Sequence, residues 1–288
     1  MRPSELIINK DGSIYHLHLT PGDIPDTIIL VGDLDRVGEI SKHFSKITFK
    51  KQNREFVSHS GYYKNKQLMV MSTGIGTDNI DIVLNELDAL ANIDLISRTA
   101  HPVFRKLNLV RLGTTGAVQS SILPGTVLIT RTVIGLDGLI NFYSNRNSVC
   151  NTEFEKAFVT FTGWNPILSA PYVVDADPVL FSKLKNNFTG AITVTAPGFY
   201  GPQGRALRIY PADEKLNTKI QMFEYKGQRI TNFEMETSAI YGLSRLFGHR
   251  AVTLCVVIAN RITGEFLNDF RVPLENMIIS ALESLSAD

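Results

Sequence analysis

The run Leu107-Asn108-Leu109-Val110-Arg111-Leu112 sets a guanidinium inside an otherwise apolar stretch. A buried ion without a partner is costly, so Arg111 requires an anion, either an acidic side chain such as Asp33 or a bound oxyanion. The residues that follow, Gly113-Thr114-Thr115-Gly116, offer hydroxyls and backbone N–H groups suited to phosphate. Two other apolar runs end in similar segments. Gly32-Asp33-Leu34-Asp35-Arg36 follows residues 28–31, and Ser72-Thr73-Gly74-Ile75-Gly76 follows residues 67–71. Arg36 and Arg54 are further candidates for an anion. Each turn alone is unspecific, since glycine after a strand is as often a tight turn as a ligand cradle. Gly74 to Asn79 begins as G-x-G without a third glycine, and no strand is followed by a Walker lysine, so neither a dinucleotide nor ATP is indicated.

A second group is Asn232-Phe233-Glu234-Met235-Glu236-Thr237-Ser238, at a strand-to-helix junction. On extended backbone Glu234 and Glu236 share a side and could bind vicinal hydroxyls of a sugar; equally, acids in a first helical turn complement its macrodipole. A glycosidase reading of the pair needs a carboxyl separation that sequence does not supply. The third group is Phe199-Tyr200-Gly201-Pro202-Gln203-Gly204-Arg205, in which a stacking face, an amide and a planar fork could read the polar edge of a heterocycle. The alternative there is a solvated loop. The six histidines have no metal-site spacing, His16 and His18 suggest strand alternation, and there is no G-x-S-x-G elbow.

The elements that would hold these groups alternate. Residues 28–31, 67–71, 107–112, 126–130, 191–195 and 251–259 read as strands covered on both faces. Ile80, Val83, Leu84, Leu87 and Leu90 repeat at helical spacing, with Thr77 or Asp78 as the cap. Residues 238–247 form a second helix closed by Gly248, and Leu274, Ile278, Leu282 and Leu285 line a third after Pro273. The pattern predicts an α/β fold with helices on both sheet faces, in which ligands bind beyond the carboxyl ends of the strands. With 288 residues, no Pro- or Gly-rich linker and no internal repeat, a single domain is expected over 1–288, residues 1–14 being an N-terminal extension. Lys and Arg number 29 against 28 Asp and Glu, so no global field draws polyanions and no nucleic-acid partner is expected. The apolar run 251–259 is far short of the roughly 18 residues that span a membrane. A leader peptide is not evident, and two cysteines, Cys150 and Cys255, fit a reducing cytoplasm.

At these residues the sequence resembles the nucleoside phosphorylase superfamily, and most its uridine phosphorylase branch, from about Tyr15 to the C-terminal helix. The shared blocks include Gly32 to Val37, Asn53-Arg54-Glu55-Phe56, Ser72 to Gly76, Arg111 to Gly116, Leu136-Asp137-Gly138, Phe199 to Arg205 and Phe233-Glu234-Met235-Glu236. The resemblance implies a central mixed, twisted sheet forming a distorted barrel flanked by helices. It implies phosphate on Gly32, Arg36, Arg111 and Thr114, with Arg54 supplied across a subunit interface. Ribose would lie on Met235 and Glu236 with Glu234 and Thr114 alongside, and His16 of a neighbouring subunit at the 5′-hydroxyl. Gln203 and Arg205 would read the base beneath Phe199, with Thr115, Gly116 and the closing-loop Arg261 beside it. The catalytic contributions would come from Arg111, Arg205 and Glu236. Purine-specific relatives carry an aspartate after the last core strand, where this chain reads Ile258-Ala259-Asn260-Arg261, which favours a pyrimidine.

The activity so implied is reversible phosphorolysis of uridine to uracil and ribose 1-phosphate. Phosphate is then a co-substrate, and no organic cofactor is implied. The resemblance also implies a homo-oligomer with a dimer as the minimal unit, a dimer and a hexamer built as a trimer of dimers being the two alternatives. Some members hold potassium between subunits, at positions matching Glu55 and Ile75. Leu34 replaces a usual proline, and Thr77-Asp78-Asn79 replaces a usual Gly-Pro-Ser. The alternatives are phosphorolysis of a deoxypyrimidine or purine nucleoside, hydrolysis by a nucleosidase, and nucleoside binding without turnover.

Overall fold

The apolar run after Asp26 forms strand β1 (Thr27–Val31), buried at every residue. In the computed structural model, which describes residues 1–185 and 188–287, β1 pairs in parallel with β4 (Lys66–Ser72) and with β7 (Asn108–Ala117). Beyond β4 the sheet continues antiparallel through β3 (Phe56–Tyr63) to the edge strand β2 (Lys46–Asn53). Beyond β7 it runs through β14 (Arg250–Asn260), β8 (Val127–Gly135), β10 (Thr189–Thr195) and β13 (Asn232–Glu234), which pairs back onto β7. The strands β7, β14, β8, β10 and β13 therefore close into a distorted five-stranded mixed barrel, with β9 (Tyr172–Asp175) paired outside β8. Two small ribbons, β5 (Ile93–Asp94) with β6 (Thr99–Ala100) and β11 (Glu224–Tyr225) with β12 (Gln228–Arg229), stand apart from the sheet.

Among the described residues, seven α-helices flank it: α1 (Asp35–Ser41), α2 (Thr77–Asn92), α3 (Thr152–Thr162), α4 (Pro178–Leu184), α5 (Leu216–Met222), α6 (Thr237–Phe247) and α7 (Arg271–Ser286). Helix α2 buries Ile80, Val83, Leu84, Leu87 and Leu90, and α7 buries Leu274, Ile278, Leu282 and Leu285, as their spacing predicts. Helix α6 ends at Gly248 with φ +85°, the left-handed C′ position glycine tolerates. From Thr237 to Ser244 it is buried all round, and its Tyr241 hydroxyl is satisfied by donating to the Thr130 carbonyl and accepting from Thr253 N–H. Among the described residues, no helix is long and apolar enough to cross a membrane. Cys150 and Cys255 are free thiols.

Three local expectations change. Gly113-Thr114-Thr115-Gly116 is no turn but the continuation of β7, because β14 supplies ladder partners along its length and β13 pairs with Gly116 and Ala117. The cap of α2 is Gly76 at φ +100°, not Thr77 or Asp78, and its N–H donates to a distant carboxylate described below. His16 and His18 sit in a turn, where Glu86 accepts from the backbone N–H groups of His16 and Leu17 and His18 adopts φ +54°. Leu6 and Ile14, within the expected N-terminal extension, bury in the same core as the sheet.

Candidate active site

The parallel strands β1 and β4 release their C-terminal loops side by side, tied where Thr73 N–H donates to the Val31 carbonyl at 2.7 Å. Arg111 lies in register with Leu30 of β1 and Thr253 of β14, directly below those loops. A Cβ added at Gly32 would stand 3.4 Å from the Gly74 carbonyl and 3.9 Å from Arg111 Nη1, so glycine leaves open the space the guanidinium faces. At Gly113 the fit is closer. A Cβ there would come within 3.1 Å of Arg111 Cζ and 3.2 Å of Cys255 Sγ. Gly113 is therefore the floor on which Arg111 folds flat against the barrel. Gly113→Ala is expected to tilt the guanidinium and weaken phosphate binding on the order of tenfold, measured by calorimetric titration.

Arg111 is 4% exposed and ion-paired, though not with Asp33. Its Nη2 donates to Glu236 Oε2, and its Nε lies 3.5 Å from Glu234 Oε2. Burial opposes the charge on Arg111, yet Glu236 and Glu234 together hold its pKa above the ordinary arginine value. Arg36, also buried, has its pKa lowered by burial and next by the positive charge of Arg111. Arg36 Nε, Arg111 Nε and Arg111 Nη1 are buried without a hydrogen-bond partner among the described residues. Two neighbouring guanidinium groups with unused donors form a seat for a small anion.

The two carboxylates do different things. Glu234 Oε2 accepts from the N–H groups of Glu236 and Thr237, each at 2.9 Å, and Oε1 accepts from the Thr195 hydroxyl. Glu234 thus stands where a capping side chain belongs at the start of α6, its oxygens already engaged. Glu236 Oε1 accepts from Gly76 N–H at 2.9 Å, which joins the loop after β4 to the head of α6. Burial raises the Glu236 pKa, offset in part by Arg111. Met235 lies between them, half-buried.

Further along β7 the site becomes cationic again. Arg261 packs its methylenes on Gly116, sets its guanidinium 5.4 Å from the Phe233 ring centre, and keeps a buried Nη1 without a partner among the described residues. Burial, then the positive charge of Arg205, bring its pKa down to about 10. Arg205 stacks 3.8 Å above Phe199 and donates to Gln203 Oε1 at 2.6 Å and to the Phe199 carbonyl at 2.7 Å. One face of Phe199 is therefore covered by Arg205 itself. The Thr115 hydroxyl donates to the Phe233 carbonyl and accepts from Asn232 Nδ2, so any contact of Thr115 with a base is left to its backbone. Thr114, half-buried, has no such engagement among the described residues.

Arg54 and His16 gather elsewhere. Arg54 occupies the β2–β3 turn at φ +53°, its guanidinium 5.5 Å from the Tyr15 ring centre, and Asn53 Nδ2 donates to the His16 carbonyl. His16 Nδ1 meets Glu86 Oε1 at 2.6 Å. Among the described residues, no hydrogen bond or ion pair joins either residue to the Arg36–Arg111 cluster or its carboxylates. Glu55 lies against Gly74, next to the exposed Ile75.

Comparison with known proteins shows the family of the chain. A family model described as the phosphorylase superfamily matches residues 26–281, the span that carries every strand of the barrel. The chain belongs to the phosphorylase superfamily. Its superfamily relatives include the uridine phosphorylase of Thermococcus kodakarensis, 30% identical over 263 residues, covering 89% of this chain and 81% of that protein. A purine nucleoside phosphorylase of DeoD type from Listeria monocytogenes is 27% identical over 276 residues, covering 93% and 97%. Among solved superfamily structures, a Trypanosoma brucei nucleoside phosphorylase described as showing uridine phosphorylase activity superposes with a TM-score of 0.86 at 29% identity, covering 97% of this chain and 99% of that one.

The supports of this candidate site had no role assigned from sequence, Asp137 being named only within a shared block. Asp137, whose pKa burial raises, accepts from the Ser238 and Tyr172 hydroxyls and from Leu139 N–H. Ser238 N–H in turn donates to the Thr195 hydroxyl, the donor to Glu234. Asp137 and Gly138 follow β8, so the polar-after-strand signal was present there, but Thr195 and Tyr172 sit within apolar strands and carry no such mark.

Proposed function

We propose that this protein catalyses the reversible phosphorolysis of uridine, giving uracil and ribose 1-phosphate. The observation that carries the reading is the buried pair Arg36 and Arg111, in which Arg36 Nε and Arg111 Nη1 have no acceptor among the described residues and Arg111 Nη1 lies towards Gly32. A hydrolase attacking with water has no use for such a seat. The names of the Thermococcus and Trypanosoma relatives support the pyrimidine nucleoside as substrate.

Phosphate would rest on Gly32, Arg36, Arg111 and Thr114, and the ribose hydroxyls on Glu236, with Met235 beneath the sugar. Arg111 to Gly116 spans roughly 16 Å of extended strand, enough for phosphate, pentose and base in succession. A phosphate oxygen attacks C1′ as the C1′–N1 bond breaks, and the bond pair passes into the uracil ring. The sugar grows cationic and the base anionic. The proton of hydrogen phosphate passes to uracil N1, which balances charge. Arg205, Gln203 and Arg261 bind the base edge more strongly as it becomes negative, the differential stabilisation that lowers a barrier. Glu236 fixes the ribose for in-line attack. Glu234 acts through α6, holding Glu236 and Arg111 in place. The reaction needs no organic cofactor.

Arg54 and His16 would act across a dimer interface, each completing its neighbour's site, and three dimers would build the hexamer. Glu55 and the Ile75 backbone offer hard oxygen donors for potassium between subunits, where the ion would fix the turn that carries Arg54. A reducing cytoplasm fits the two free thiols, and pyrimidine salvage fits the reaction.

Ultraviolet difference spectra of uridine, deoxyuridine, thymidine and inosine with and without phosphate test the reading. Uracil release only with phosphate is expected; release without phosphate would make the protein a nucleosidase, preferential cleavage of inosine a purine phosphorylase, and no cleavage of any of them a binding protein. The shared site has its own test. Arg54→Ala and Arg111→Ala chains, each inactive alone, should recover about a quarter of wild-type turnover when mixed in equal amounts and allowed to exchange subunits, because half of the dimers are mixed and each has one intact site. No recovery would place Arg54 in its own chain's site.

A further inference from the structure

Two cationic arms reach the base end of the cleft, and they repel each other. Arg205 helps to lower the pKa of Arg261, and neither guanidinium has a carboxylate partner among the described residues. Their surroundings are built of neutral amides instead. Asn260, 1% exposed, donates from Nδ2 to the Gln119 carbonyl at 2.9 Å and the Ile122 carbonyl at 2.8 Å. Its Oδ1 accepts from Ile262 N–H at 2.9 Å and Thr263 N–H at 3.1 Å. All four hydrogen-bonding capacities of the side chain are engaged, none towards a ligand. The turn they fix begins with Arg261, whose own N–H donates to the Ala117 carbonyl of β7.

The same frame extends to the other arm. Gln119 Nε2 donates to the Gln221 carbonyl at the end of α5 and to the Ile230 carbonyl. One turn earlier on α5, Asn217 Nδ2 donates at 2.9 Å to the carbonyl of Gln203, the residue that holds Arg205. Gly204 is the one residue type that admits this contact, since a Cβ there would collide with Asn217 and its φ is +68°.

Resting on the phosphorolysis reading, we infer that Asn260, Gln119 and Asn217 form a carboxamide frame that positions the two arms of the base pocket. Acidic residues could also hold two guanidinium groups together, but they would neutralise them. Amides fix the arms through the backbone and leave the positive potential intact for a base that becomes an anion in the transition state. The three are positioning residues for base binding and base selection, remote from phosphate. The frame also gives Asn260 a different part from that of a base-facing residue at the end of the last core strand. An aspartate there would turn carboxylate oxygens towards two carbonyls.

The test is a comparison of Asn260→Ala, Asn260→Asp, Gln119→Ala and Asn217→Ala. Each is expected to raise the KM for uridine about tenfold, as the loss of one buried hydrogen bond would, and to leave the KM for phosphate within twofold. The preference for uridine over inosine should narrow in parallel. Asn260→Asp keeps the volume and should not rescue. A KM for phosphate that rises as far as that for uridine, or no change in either, overturns the inference, whatever the melting temperature does. Should the Asn260 variants fail to fold, Asn217→Ala, at a half-exposed helix position, decides by the same two constants. Wild-type protein that releases no uracil with phosphate present overturns the phosphorolysis reading and the inference with it; active wild type with unaltered variants overturns the inference alone.

Discussion

Arg111→Ala is expected to lower kcat for uridine by two to three orders of magnitude, with no recovery at saturating phosphate. The magnitude follows from removing one preorganised charge contact to the reacting group, about 3 kcal/mol. On the proposed reading saturation does not rescue, because the guanidinium that would bind phosphate also holds, through its Nη2, Glu236, the carboxylate proposed to position the ribose. The variant has a second defect. It leaves Glu234 and Glu236, 4% and 3% exposed, without their shared counter-charge, and breaking a buried pair from one side costs about 3–5 kcal/mol. Folding and chemistry are separated by a double variant, Arg111→Met with Glu236→Gln, which removes one of the two unpaired charges and leaves Glu234 to its hydrogen bonds from Glu236 N–H, Thr237 N–H and Thr195. It should melt above Arg111→Ala and stay as inactive. Steady-state kinetics beside calorimetric melting reads both. Turnover within tenfold of wild type at saturating phosphate would remove Arg111 from the reaction.

The part of this arrangement that could be read from sequence is the part in which a side chain contradicts its surroundings. A guanidinium in an apolar strand, glycines after buried runs and two acids at a helix start all announce themselves by cost. Helices α2 and α7 were legible because their apolar faces repeat at 3.6 residues, α6 through the Gly248 that closes it, and the barrel strands because both faces are buried. What could not be read was pairing. Arg111 had several acids to choose from, and only closure of β13 onto β7 brings Glu234 and Glu236 to it in place of Asp33. Gly113 to Gly116 resembled a turn, since nothing local tells a glycine that makes room for Arg111 from one that reverses the chain. The edge strand β2 carries Lys46, Lys50 and Lys51 and has every residue exposed or half-buried, which protects an edge and hides it from a search for apolar runs. Asn260, Gln119 and Asn217 are ordinary polar letters in sequence. Their meaning lies entirely in where the carbonyls opposite them end up.

Glu234→Ala and Glu236→Ala are expected to fail in different ways, although the residues are two apart and both touch Arg111. Removing the Glu234 side chain strips acceptors from Glu236 N–H, Thr237 N–H and the Thr195 hydroxyl and takes away one partner of Arg111, all in a buried site. Unsatisfied buried donors cost about 1–3 kcal/mol each, partly relieved by entering water, so a loss of about 3–5 kcal/mol and a fall in Tm of roughly 10 °C are expected. Activity should fall with it, since α6 carries Glu236, and Glu234→Gln should restore part of the stability because its amide oxygen still accepts while its charge is gone. Glu236→Ala frees a single backbone N–H, that of Gly76, and unpairs Arg111 Nη2, which phosphate can then engage. Its Tm should fall less, while kcat/KM for uridine drops by two orders of magnitude or more through loss of the grip on the ribose hydroxyls. Melting curves and kinetics on the two variants therefore move in opposite proportions. Equal Tm losses with equal kinetic losses would mean that the two carboxylates share one role, and the division between a structural cap and a sugar-binding acid would not stand.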